Sequence, residues 1–132
     1  MKNALRVVAG VVCGYAVMVV LITLVQETWF GGVGWNKSPF GVLAAAGFFT
    51  SVAAGAGAVL ATAIARPSGR LAAAIMASLV VVETSVLFAT GKVSGPLWFD
   101  LAAAASLVVA IMVGAELYLR WIGTTGRQSA EA

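Results

Sequence analysis

The stretch Phe40–Ala65, FGVLAAAGFFTSVAAGAGAVLATAIA, decides how the chain must be read: across all of it there is no charged side chain. A helix needs roughly 20 apolar residues to cross the hydrocarbon of a bilayer, and this run is long enough. Three further apolar runs flank it. One covers residues 7–28, one 71–90 with the single charge Glu83, and one 99–119 with Glu116 near its end. Apolar residues do not alternate with polar ones, as they would in barrel strands of about 10 residues. Lipid offers no hydrogen bonds to the backbone, so such runs must close their own as helices. The expectation is an all-α, polytopic membrane protein of four transmembrane helices in one domain, with residues 120–132 as a polar, frayed cytoplasmic tail.

Composition agrees. Of 132 residues, 61% are hydrophobic and 10% charged, against about 25% charged in a soluble domain. Thirteen charged side chains do not cover a soluble surface of this size. The net charge is +3, but the basic residues stand singly beside apolar runs rather than in a cluster. That is a topology pattern, not a nucleic-acid footprint.

Orientation follows from where the basic residues fall. Lys2, Arg6, Arg66, Arg70, Arg120 and Arg127 share one side, and Lys37 and Lys92 the other. The bias places both termini in the cytoplasm, and the short loops fit a bacterial inner membrane. Trp29, Phe30, Trp35, Trp98 and Phe99 mark the outer ends, Tyr118 and Trp121 the inner end of the last helix. The first run is longer than the 7 to 15 apolar residues of a signal peptide and lacks a small-residue cleavage site, so it reads as a retained helix.

Turn signals separate the runs. Gly31–Pro39 and Gly91–Trp98 read as outer loops, and Arg66-Pro67-Ser68-Gly69-Arg70 as a tight inner turn. Asp100 reads as the N-cap of the fourth helix, its charge suiting the helix dipole. A weak internal repeat is also visible. Val25–Thr28 resembles Val81–Thr84, Gly34 and Pro39 match Gly91 and Pro96, and Leu43–Ala46 matches Leu101–Ala104, at offsets drifting from 56 to 58. It suggests two tandem helical hairpins in the same orientation; chance similarity between apolar helices explains such a match as well.

In lipid, helices associate by close packing of small residues. The candidates are Gly10 and Gly14 in the first helix, Gly47, Ser51, Gly55 and Ala58 in the second, and Gly114 in the fourth. They serve contacts within the chain or, alternatively, a homo-oligomer.

Glu83 is the side chain that stands out for function. A charge this deep costs at least about 2.5 kcal/mol on insertion scales, and such residues face the bundle interior or a cavity and often mark ion pathways. The alternative is a hydrogen bond to a neighbouring helix, with Thr23, Gln26, Thr50 and Ser51 at compatible depth. Glu27 lies nearer the outer surface, and if the hairpin repeat holds it converges with Glu83 on one pocket. The candidate proton, cation or interhelical polar site is therefore Glu83, Glu27, Gln26 and Thr23. Glu116 and Arg120, four apart, read as an ion pair at the inner end, and Arg66 and Arg70 as topology signals.

No His is present and Cys13 is the single cysteine, which removes His-ligated metal sites and Ser-His or Cys-His catalytic pairs. No nucleophile elbow, P-loop or zinc-protease motif occurs. The sequence thus predicts no enzyme, no cofactor and no metal. It leaves two functions: an accessory or interaction protein whose partners are the bilayer and a homo-oligomer or larger membrane complex, or a small proton- or cation-coupled transporter or channel component using Glu83 with Glu27.

Overall fold

The computed structural model describes residues 1–93 and 95–131. Helix α1 spans Lys2–Thr23 and continues as a π-helical segment, Leu24–Trp29; α2 spans Phe40–Ile64, α3 Gly69–Ala89 and α4 Leu97–Glu131. All four, with α1 counted through Trp29, are long and apolar enough to cross a membrane. Among the described residues the chain is helices and loops, without strand.

The breaks between helices have local causes. After the π segment the chain reverses at Gly31 and Gly32, whose φ angles of 63° and 89° are left-handed values that side chains resist. The Gly32 N–H donates to the Gln26 carbonyl at 2.9 Å and closes the wide turn. Pro39, extended at φ −60° and ψ 153°, then sits just before α2. The α2–α3 connection is the predicted tight turn, with the Ser68 N–H donating to the Ala65 carbonyl at 2.8 Å. Gly91, at φ 66°, ends the α3 side of the last loop.

Around the bundle the order is α1, α2, α4, α3, with α2 and α3 also touching across it; among the described residues α1 and α4 do not meet. Both termini and the α2–α3 turn lie at one end, the other two loops at the opposite end. The interior is built from small side chains. Ala54, Ala58, Ala61, Ala72 and Ala73 are completely buried, with Met76, Ile111 and Thr62 the largest buried side chains. Large apolar side chains point outward instead: Leu5, Val12, Phe48, Val82, Leu101, Val109 and Leu117 are all exposed.

Glycines set the helix spacing. A Cβ on Gly14 would lie 2.6 Å from the Gly57 carbonyl oxygen, and one on Gly10 2.6 Å from that of Ala61. These approaches run antiparallel down the α1–α2 seam, as a hairpin requires. Gly57 is not part of the expected stripe; at about 100° per residue it lies roughly a third of a turn round α2 from it.

Two expectations need correction. Helix α4 begins at Leu97, directly after Pro96, whose carbonyl accepts the Phe99 N–H at 2.9 Å. Asp100 is therefore not the N-cap but lies inside the first turn. Residues 120–131 are helical: α4 continues to Glu131, with no proline to stop it and with the Thr124 and Thr125 hydroxyls donating back to the Trp121 carbonyl at 2.7 and 2.9 Å. Helix α1 packs on α2 and α3 on α4, as two hairpins would, but their loops differ. Gly91 is left-handed while its match Gly34 is not, and the π-helical turn follows α1 only.

Candidate functional site

Glu83 is the starting point, since its carboxylate is the deepest charge in the apolar runs. It does not point into the bundle. Its side chain lies on the exposed surface of α3, where the Tyr15 hydroxyl of α1 donates a hydrogen bond to Glu83 Oε2. The geometry follows from parallel helices. Tyr15 lies 13 residues after the start of α1 and Glu83 lies 14 after the start of α3, so at about 1.5 Å per residue the two reach one level. Tyr15 was not among the sequence candidates. The signal was there: it is the only tyrosine in the first apolar run, at the depth a parallel α3 brings to Glu83.

None of the expected partners reaches Glu83. The Thr23 hydroxyl donates to the Val19 carbonyl of its own helix at 2.8 Å, and Ser51 likewise to Gly47 at 2.9 Å. Neighbouring α3 hydroxyls behave the same way: Ser78, Thr84 and Ser85 donate to Ala74, Val80 and Val81 at 2.7–2.8 Å. A hydroxyl that satisfies itself on the preceding turn leaves Tyr15 as the group available to the carboxylate.

Glu27 does not converge with Glu83. It is exposed on the π-helical segment, 12 residues beyond Tyr15, or about 18 Å along the helix axis. Gln26 lines a separate cavity between the loop-end halves of α2 and α4, together with Gly47, Ser51 and Asp100. The four candidates thus divide among a surface pair, a loop-end acid, a self-bonded threonine and a cavity wall.

The packing candidates also divide. Gly10 and Gly14 seat α1 on α2, and Gly114 seats α4 against Gly55, with a Cβ there only 2.7 Å from the Gly55 carbonyl oxygen. Ala58 is fully buried between helices. Gly47 is corrected: among the described residues nothing lies within 4 Å of a Cβ placed on it, and with Ser51 it borders open cavity.

At the other end, Glu116 is held mainly by Arg70, which in the sequence reads only as a topology signal. The Arg70 Nε and Nη2 donate to its two carboxylate oxygens at 3.2 and 3.1 Å, while the expected partner Arg120 stands at 3.6 Å. Arg66 Nη2 donates to the Tyr118 hydroxyl at 2.5 Å, with its guanidinium 5.2 Å from the ring centre. Both arginines of the α2–α3 turn therefore clasp α4.

No group of three or more metal-binding side chains occurs among the described residues. No family model, no curated protein and no solved structure matches the chain.

Proposed function

We propose that this chain is an integral membrane protein acting as an accessory or interaction subunit, without a catalytic site, that meets its partner through the α1–α3 face carrying Tyr15 and Glu83. The observation that carries the reading is the exposed position of that bonded pair. Within the apolar span, four residues past the middle of α3, a carboxyl group on the bundle's outer face has no water and no lipid hydrogen bond to satisfy its remaining oxygen. A transmembrane helix bearing an amide, hydroxyl or ammonium group supplies what is missing. The outward Leu, Val and Phe side chains over an alanine interior support the bilayer as surroundings, because large apolar side chains turned to water are disfavoured.

The partner is a different chain rather than a second copy. A two-fold dimer would have to supply the missing donor from this same α1–α3 face, where the Ser78 and Ser85 hydroxyls already donate within their own helix. The alternative of proton or cation coupling through Glu83 with Glu27 has less support, since one acid faces outward and the other lies about 18 Å further along.

Site-specific photo-crosslinking in the native membrane tests the reading. Probes at Val82 or Val86 of α3 should give a discrete heteromeric adduct, and probes at Val109 or Val113 of α4 should not. Adducts from both faces alike, or only between copies of this chain, would count against it.

A further inference from the structure

We propose that the Arg66 guanidinium, seated on Tyr118, binds the phosphate of an anionic phospholipid whose acyl chain lies along the outward stripe of α4. The site is at the end of the bundle that carries both termini. It rests on the chain lying in a bilayer, not on the partner assigned to the α1–α3 face.

The charges at this end do not cancel. Arg66, Arg70 and Arg120 gather around α4, where Glu116 is the acid they share a level with. Among the described residues the ion pairs are Arg70–Glu116 and Arg120–Glu116. The fork of Arg70 takes both carboxylate oxygens, and Arg66 has no acid. Its Nη2 donates to a phenol instead, and its guanidinium lies 5.2 Å from the centre of that ring. The ring fixes the guanidinium without neutralising it. Most of its N–H donors stay open in a fork that matches phosphate oxygens.

The surface beside it suits an acyl chain. Val109, Val113, Leu117 and Trp121 follow one another at intervals of four along α4, and all are exposed. At 3.6 residues per turn they form a stripe down one side of the helix. The Trp121 ring lies 6.3 Å from that of Tyr118, so the stripe ends beside the residue that holds Arg66. Headgroup contact and chain contact therefore adjoin. A partner helix fits this stripe poorly, because helices in lipid meet through small residues, and here every position is Val, Leu or Trp. The indole at the end of the stripe suits the boundary between chains and headgroups. A headgroup with net negative charge is preferred to a zwitterionic one, whose ammonium finds no free acid on this surface.

The test uses the whole chain in lipid discs of phosphatidylcholine, with phosphatidylglycerol raised stepwise. Disc incorporation and helical content are measured first; a chain that stays out of the discs would overturn the membrane reading itself. The Trp121 indole N–H resonance, assigned with Trp121→Phe, is then followed. The expected result is a saturable shift. Arg66→Gln should move its midpoint to about fivefold more phosphatidylglycerol, the effect of one basic residue at an anionic surface. Arg127→Gln removes the same charge about 9 Å beyond Trp121, near one Debye length, and should move the midpoint less than about twofold. Glycerol 1-phosphate, added to discs of phosphatidylcholine alone, should give no saturable shift. A response to it matching that to the lipid would make this a site for soluble phosphates and overturn the lipid assignment. Equal effects of Arg66→Gln and Arg127→Gln, or no saturable shift in the incorporated wild type, would overturn it too.

Discussion

Gly114 of α4 lies so close to Gly55 of α2 that a Cβ on Gly114 would sit 2.7 Å from the Gly55 carbonyl oxygen and 3.0 Å from its Cα. Backbone meets backbone there, and backbone cannot rotate out of the way. Gly114→Ala should therefore part α2 from α4 and cost about 1–3 kcal/mol, the usual range for overpacking. Gly47→Ala, into empty space, should be neutral or slightly stabilising through helix propensity. Denaturant titration of both variants in micelles checks the contrast, and equal effects would remove the seam from the packing account.

The Tyr15–Glu83 bond ties α1 to α3. A double-mutant cycle of Tyr15→Phe and Glu83→Gln should return a coupling of about 0.6–1.7 kcal/mol, the scale of hydrogen bonds between helices in membranes. Additive effects would show that the two side chains act independently. If a partner helix covers the pair, the same variants also weaken the crosslinked complex, and that loss is measured separately from folding.

The clasp of Arg66 and Arg70 on α4 is exposed, with side-chain exposures of 74% for Arg70 and 39% for Glu116. Its effect should be local and screened by salt. Hydrogen exchange of the Ser68 and Arg70 amides should quicken in Glu116→Gln at low ionic strength. The difference should shrink at high salt, where the wild type loses the same interaction.

The left-handed turn at Gly31 and Gly32 carries the loop whose Trp35 lines the cavity. Gly32→Ala forces a side chain into φ 89° and should cost about 1–2 kcal/mol. The Trp35 indole resonance should move with it. An unchanged Trp35 environment would mean that Trp35 is positioned by Trp98 and Phe99 alone, whose ring centres lie 5.3 and 4.8 Å from its own.

Much of this architecture was legible beforehand because it depends on local properties. Four apolar runs, each long enough for a helix and separated by Gly and Pro, gave the element count and the tight turn at Arg66–Arg70. The contacts of Gly10, Gly14, Gly55 and Gly114 agree with the small-residue signal. Asp100 was misplaced because an acid near a helix start fits both the cap and the first turn, and Pro96 decided between them.

What the sequence by itself determined was which segments are helical and where they break, since backbone hydrogen bonding and chain length settle both within one segment. Which way each helix turns was decided only in the tertiary structure. Helix α2 carries small residues on several sides, Gly47 and Ser51 on one and Gly57 and Ala61 on another, so its pattern names no single face. The glycine approaches of α1 and α4 choose for it. They lock the rotation of α2, leave Glu83 to Tyr15 on the outside, and set α2 and α4 beside one cavity in an order around the bundle that no single segment encodes.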